Sequence, residues 1–402
     1  MDYYNLFSEA IECVKREGRY REFVDLSRYA DRLPVAKVQA LNKDITMWCI
    51  NDYLGMSRNP YVVDAMVNAT HKFGCGAGGT RNIGGNNSVL VELEKDVAAL
   101  HSKDSALVFT SGYVANATTL TTLAKILPNC IFFSDESNHA SIIEGIRNSR
   151  AEKRIFRHND ANHLEQLLSE SPLNVPKIIV FESAYSMDGL RSPMKDIVTL
   201  AKKYNALTYI DEVHTVGLYG KGGAGMANEA GVENEIDIIQ GTFGKAYGVI
   251  GGYIAGKREI IDAIRSYASG FIFTTALPPS VAAAAKASVN YLKLHDEERI
   301  LHWKQVMYTK ELLRQHKINI LENDTHIIPV LINDPIKAAE ASKMLLSEFG
   351  IYLQHINYPT VPKGSERLRI TPTPYHTNGM VEDFVRALKM VLLSLEVAES
   401  AA

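Results

Sequence analysis

LTYIDEVHTVGLYGKGGAGMANEAGVENEIDIIQGTFGKAYG, residues 207–248, contains two short runs rich in β-branched and aromatic residues, LTYIDE (207–212) and DIIQGTF (237–243). Runs of this kind, apolar on both faces, suit strands covered by helices on two sides. The pattern repeats outward. SALVFTS (105–111), CIFFSD (130–135), KIIVFES (177–183) and GGYIAG (251–256) read as further strands, with helical segments between them. In the clearest helix, Ser192 can cap, Pro193 takes the first helical position, and MKDIVTLAKKYN follows with apolar residues at helical spacing. Strand–helix–strand repetition predicts an α/β fold with a mostly parallel sheet.

After LPP (277–279) the pattern changes. Residues 280–315 read as long helix broken near His295. HIIPVLI (326–332) and IYLQHI (351–356) read as strands. DPIKAAEASKMLLSEFG (334–350) reads as a helix with Pro335 at its start and Gly350 at its stop, and GMVEDFVRALKMVLLSLEV as a final amphipathic helix. The expected organisation is an N-terminal helical arm (1–50), a large domain (51–290) and a smaller C-terminal α+β domain (291–402).

Hydrophobic residues make up 46% of the 402 and charged residues 22%, enough for a sizeable core. The net charge of −3 gives no electrostatic footprint for nucleic acid or an anionic membrane. No apolar run reaches the ~18 residues that span a bilayer. The polar start, MDYYNLFSEAIECVKREGRY, lacks the shape of a signal peptide. Four scattered cysteines form no C-x-x-C pair, which argues against a disulfide scaffold or a zinc ribbon. A soluble cytoplasmic protein without a metal site is expected.

Two glycine patterns mislead. Gly74, Gly76 and Gly79 match G-x-G-x-x-G, but helical VVDAMVNATHKF precedes them where a dinucleotide site needs a strand. GTFGKAYG (241–248) fails as a P-loop, because Ile239 stands where Gly is needed and Ala246 where Ser or Thr is needed.

Ligands of open α/β sheets bind beyond the carboxyl ends of the strands. That rim carries Asp211 and His214 after LTYI, Lys245 after DIIQGTF, His139 after CIFFSD, and Ser111-Gly112-Tyr113 opening a helix after SALVFTS. Pyridoxal phosphate needs such a set: a lysine to bond its aldehyde, an acid opposite its ring nitrogen, a flat partner for the ring, and donors for its phosphate. Asp211 would face the nitrogen, His139 stack on the ring, and His214 reach the 3′ oxygen. Backbone N–H groups of Gly112 and Tyr113 would hold the phosphate. Each residue alone has a bland reading, as a solvated lysine, a turn aspartate or a satisfied polar histidine. Together at strand ends they indicate a cofactor enzyme with a reactive lysine.

The chain also resembles the α-oxoamine synthases, a family of fold-type I pyridoxal-phosphate enzymes. The resemblance is carried by EGRYREF (17–23), NDYLGM (51–56), GTRNIGG (79–85), SNHASIIEGIR (137–147), ESAYSMDG (182–189), IDEVHTVGLYG (210–220), GTFGKAYGVIGGYIA (241–255), SGFIFTTALPP (269–279) and INYPTVPKGSERLRITPTP (356–374). It covers residues 1 to about 395 and implies a seven-stranded sheet of the aminotransferase type. EGRYR, SGFIFTT and NYPTVPKGSERLR point to the branch that condenses glycine with succinyl-CoA. Sister branches that make 8-amino-7-oxononanoate or 2-amino-3-ketobutyrate, and a catalytically silent synthase subunit, are the alternatives.

The resemblance implies roles residue by residue. Lys245 bonds the cofactor. Asp211 pairs with its ring nitrogen, His214 and Ser186 with its 3′ oxygen, and His139 stacks on it. Ser111, Gly112, Tyr113 and Thr242 support the phosphate, and Thr274 and Thr275 reach it from the partner subunit of a homodimer. Asn51 and Arg369 hold the glycine carboxylate. Arg21 and Thr360 receive the succinyl carboxylate, with Thr80 and Asn82 nearby, and Ser134 and Lys153 belong to the coenzyme A side. Without the resemblance, Arg369 would read as an ion pair with Glu366, Thr360 as a turn residue before Pro362, and Arg21 as a solvated helix charge. The run Ile83-Gly84-Gly85-Asn86-Asn87 departs from the family's usual Ser, Thr or His.

Overall fold

The computed structural model describes residues 1–397, so the last five residues of the expected 291–402 domain lie outside the described part. The chain separates into two compact units. The larger comprises Leu54–Ser186 and Leu190–Glu298; the smaller comprises Met1–Tyr53, Met187–Gly189 and the chain from Arg299.

The larger unit is built on a seven-stranded sheet. Its strands are β1 (Ser105–Phe109), β2 (Ile131–Asp135), β3 (Glu152–Phe156), β4 (Lys177–Glu182), β5 (Ala206–Asp211), β6 (Ile238–Thr242) and β7 (Gly252–Gly256). Their spatial order is β1-β7-β6-β5-β4-β2-β3. All neighbours run parallel except β7, which is antiparallel to both β1 and β6. Alternate residues feed two cores: Phe133, Phe181 and Ile210 on one face, Phe132, Val180 and Tyr209 on the other. Burial on both faces is why these strands read as continuous apolar runs. Only β3, the edge strand EKRIF, escapes that reading; it pairs on one side and its first four residues keep contact with solvent.

Helix starts follow local chemistry. Ser111 caps Gly112–Ile126 by accepting from Val114 N at 3.1 Å. The segment before Gly74 is a helix, Pro60–Phe73, which disposes of the dinucleotide fingerprint. One expected cap is corrected: the helix is Met194–Lys203, with Pro193 at the cap position and no side-chain cap bond. The backbone N–H of Ser192 donates to Ser183 O at 3.1 Å, next to the Ala184–Arg191 bridge, and Ser192 lies outside the helix.

In the smaller unit the expected helical arm is helical only over Tyr3–Arg16. Leu26–Arg28, Val35–Val38 and Lys43–Met47 are short strands that form a four-stranded sheet with Ile351–Tyr352. IYLQHI is accordingly two strands, its second piece, His355–Ile356, joining Arg367–Ile370 and Ile328–Leu331 in a separate sheet. The long helix broken at His295 is Pro279–Leu294, which belongs to the larger unit, and Glu297–Gln315, most of which belongs to the smaller; Pro335–Phe349 is capped by Asp334 and stopped by left-handed Gly350. Trp48 stacks on Phe384 of the last helix, Asn378–Ser394, within the core. Among the described residues, no helix is long and apolar enough to cross a membrane.

Candidate active site

The carboxyl ends of β2, β4, β5 and β6 place the chemistry of the larger unit. Asp211 ends β5 and is 2% exposed. Its Oδ2 accepts from Asn116 Nδ2 at 2.6 Å and its Oδ1 from Val213 N at 2.9 Å. Both donors are neutral. Burial raises the Asp211 pKa, opposed by these bonds and by the positive charge of Lys245. A buried acid held this way fits a protonated ring nitrogen, which would supply the cation that its hydrogen-bond donors do not.

Lys245, half-buried, points its Nζ at His214 Nε2, 2.7 Å away. His139 precedes the helix Ala140–Ser149 and remains exposed on one side. Its Nδ1 accepts from Ser141 N at 3.2 Å, so the ring proton of the neutral imidazole sits on Nε2. Burial of its inner side lowers its pKa, which keeps the ring neutral near pH 7. Tyr113 meets His139 edge-on, with centroids 6.4 Å apart. One amide ties these residues together: Asn116 donates to Asp211 and to Ser141 Oγ (2.9 Å), and accepts from Tyr209 OH at 2.7 Å.

The Ser111–Gly112–Tyr113 turn lies against β7 so closely that a Cβ on Gly252 would stand 2.5 Å from Gly112 N. Thr242 faces the same turn, and its hydroxyl donates to Gly251 O at 2.8 Å. A helix start with capped but otherwise free N–H groups suits a phosphate. Ser186 sits half-buried in the loop after β4.

Thr80, Asn82 and Thr275 come together. Thr80 pairs with Thr275 through the backbone, and its hydroxyl donates to Asn82 Oδ1 at 2.6 Å. The departing run has a physical reason: a Cβ at Gly85 would lie 2.3 Å from Gly79 O, while Asn86 Oδ1 accepts from Arg81 Nε and Asn87 caps Ser88–Leu100. Thr274 is half-buried and the adjacent Phe273 exposed. Ser134 and Lys153 are not gathered. Ser134 is buried with its hydroxyl between Asn138 and Asp135 O, and Lys153 is exposed near the amino end of β3.

In the smaller unit, Arg369 is buried, and its partners are neutral: Asn51 Oδ1 at 3.2 Å and Tyr53 OH at 2.9 Å. Its buried Nε has no acceptor among the described residues. Glu366 instead accepts from Gly364 N, so the ion-pair reading of Arg369 fails. A buried guanidinium with donors to spare can take a carboxylate. Arg21 and Thr360, 339 positions apart, meet through Nη2 and Oγ1 at 3.1 Å. Asn357 Nδ2 donates to Gly18 O at 2.9 Å, and the Arg19 guanidinium lies over Tyr358, so the 356–366 loop is seated on the arm.

Sequence reasoning missed Asn116, Ser141 and Tyr53, whose uncharged side chains carry no chemical signal alone. It also missed two buried acids. Glu212 collects Ser183 Oγ, Thr215 Oγ1, Met226 N and Ala227 N, which anchors the loop bearing His214. Glu182 accepts from the backbone N–H of His139.

Comparison with known proteins places the chain in a family. The family model described as aminotransferase class I and II matches residues 43–388. The 5-aminolevulinate synthase of Rickettsia bellii is 59% identical over 398 residues, covering 99% of this chain and 96% of that protein. That of Bradyrhizobium diazoefficiens is 52% identical over 393 residues, covering 97% and 96%. A lysine-to-alanine variant of a serine palmitoyltransferase from S. paucimobilis, solved with a bound PLP–myriocin aldimine, superposes with a TM-score of 0.91 at 28% identity, covering 99% of this chain and all of that one. The chain belongs to the class I and II aminotransferase family and, within it, to the 5-aminolevulinate synthases.

Proposed function

We propose that this chain joins glycine to the succinyl group of succinyl-CoA, releasing coenzyme A and carbon dioxide and forming 5-aminolevulinate, with pyridoxal 5′-phosphate carried on Lys245. The observation that carries this reading is the 2.7 Å approach of Lys245 Nζ to His214 on the rim that also bears the buried Asp211. End-to-end identity of 59% to a 5-aminolevulinate synthase supplies the substrate pair.

When bound, pyridoxal phosphate provides an electron sink for negative charge at the substrate Cα. Asp211 keeps the proton on the ring nitrogen in place. Lys245, as a free amine, takes the Cα proton of glycine and later returns one. His139 donates its Nε2–H to the carbonyl oxygen formed from the thioester. Ser186 and His214 bind the 3′ oxygen, and Ser111, Gly112, Tyr113 and Thr242 bind the phosphate. Arg369, with Asn51, orients the glycine carboxylate. Arg21 and Thr360 take the succinyl carboxylate, with Thr80 and Asn82 nearby, and a closing 356–366 loop covers it. Ser134 and Lys153 serve the coenzyme A side. Thr274 and Thr275 serve the site of the partner subunit of a homodimer, and the protein works in the cytoplasm. The cofactor domain of this reading is residues 51–290, preceded in sequence by the 1–50 arm and followed by the 291–402 domain.

Assay of glycine and L-alanine against succinyl-, acetyl- and pimeloyl-CoA tests the substrate pair. Preference for glycine with succinyl-CoA is expected, and preference for alanine with pimeloyl-CoA would overturn it. The purified protein should be yellow, and borohydride should fix the cofactor at Lys245. A colourless protein that binds no aldehyde would favour a silent subunit.

A further inference from the structure

Glu182 ends β4 in register with Asp211 at the end of β5. Register partners on adjacent parallel strands project from one face, with the strands ~4.8 Å apart. Two residues earlier, Val180 and Tyr209 share one core face, so the two acids continue that row. Glu182 is 1% exposed. Two neighbouring carboxylates in such burial cannot both carry charge cheaply.

The hydrogen bonds separate them. Asp211 has a donor on each oxygen. Glu182 has a single one, the backbone N–H of His139, 2.5 Å from Oε1; its buried Oε2 meets no partner among the described residues. An oxygen without donors is far costlier to bury as an anion than as part of a neutral acid. Burial, the adjacent Asp211 and the more distant Asp135 push the Glu182 pKa well above the carboxylate range, against a weaker pull from the His139 N–H and from Lys245.

We propose that Glu182 is a positioning residue that works as a neutral carboxylic acid, anchoring the main chain of His139 and leaving the one negative charge of the acid pair on Asp211. The imidazole of His139 is then fixed from two sides, by Glu182 at its backbone and by Ser141 at Nδ1. The proposal rests on the reading of His139 and Asp211 as cofactor partners.

Glu182→Gln keeps a neutral acceptor in the same place, and Glu182→Ala removes it. An infrared difference spectrum, cofactor-free wild type minus Glu182→Gln at neutral pH, should show the carbonyl stretch of one protonated buried acid; a carboxylate band instead overturns the proposal. Titration with pyridoxal phosphate, followed by protein fluorescence, should give wild type and Glu182→Gln affinities within about twofold, and Glu182→Ala about tenfold weaker, about 1.4 kcal/mol. Equal affinity for all three, or a Gln variant as weak as Ala, also overturns it. If Glu182→Ala does not fold, the infrared band and the Gln affinity decide. Borohydride fixation in wild type, located by peptide mass, tests the cofactor reading separately: failure to label Lys245 removes that reading, while the infrared band still decides the protonation of Glu182.

Discussion

Lys245 Nζ and His214 Nε2 stand 2.7 Å apart. With lysine as the ammonium, Nε2 accepts and the His214 proton sits on Nδ1. His214 therefore holds the reactive amine at the end of β5. Replacing His214 by Ala should weaken pyridoxal phosphate binding about tenfold, in line with loss of a hydrogen bond to a charged group. Equilibrium titration followed by absorbance checks this; unchanged affinity would contradict it.

Asp211 is the buried acid of the rim, and Asn116 and Val213 each donate to one of its oxygens. Asp211→Asn preserves shape and removes charge. Turnover should fall by about two to three orders of magnitude, as for loss of a preorganised electrostatic partner. Asp211→Glu should recover part of it. Steady-state rates with saturating substrates measure both.

Arg369 offers a planar fork that Lys cannot reproduce. Arg369→Lys should lower kcat/KM for glycine about ten- to hundredfold while leaving KM for succinyl-CoA near its wild-type value. A matching rise in both KM values would show general damage.

Arg21 and Thr360 are in contact at 3.1 Å, and the proposed function gives them the far carboxylate of the acyl donor. Arg21→Ala should reduce kcat/KM for succinyl-CoA about tenfold or more and change that for acetyl-CoA little. Parallel assays of the two thioesters give the answer directly.

His302 and His376 are buried in the smaller unit, and burial lowers their pKa values to about 3 and about 4. In the unfolded chain both return to about 6.5. Between these values the unfolded state binds more protons, so stability is fully present above about pH 6.5 and is lost as the pH falls toward 4. At pH 5 each histidine should remove about 2 kcal/mol. Denaturant unfolding at pH 7.5 and pH 5 measures the loss, and His302→Leu should make it smaller.

Sequence reading succeeded where burial was two-sided. The strands from Ser105 to Gly256 were legible because their neighbours exclude polar residues on both faces, whereas β3 was hidden by the charged residues an edge strand tolerates. The arm misled in the same way, since the strands after Arg16 are short and partly exposed. Lys245, Asp211, His139 and His214 stood out because charged and polar residues interrupt the pattern where apolar strands end. Arg21 and Thr360 are separated by 339 positions, so only the family resemblance joined them before the structure did. Glu182 was hidden inside KIIVFES, where its signal was positional: it holds the place in its strand that Asp211 holds in the next.

The helix that leads into Arg21, Tyr3–Arg16, contains no buried residue, and Arg21 itself is exposed. Surface substitutions away from packed or paired features usually alter stability by less than about 0.5 kcal/mol. On the proposed role of Arg21, acyl-group selection draws on a segment whose exposed helix can be substituted at little cost to the stability of the fold. Within such a lineage, new thioester preferences can be sampled by drift at the amino terminus long before any change in the reaction chemistry.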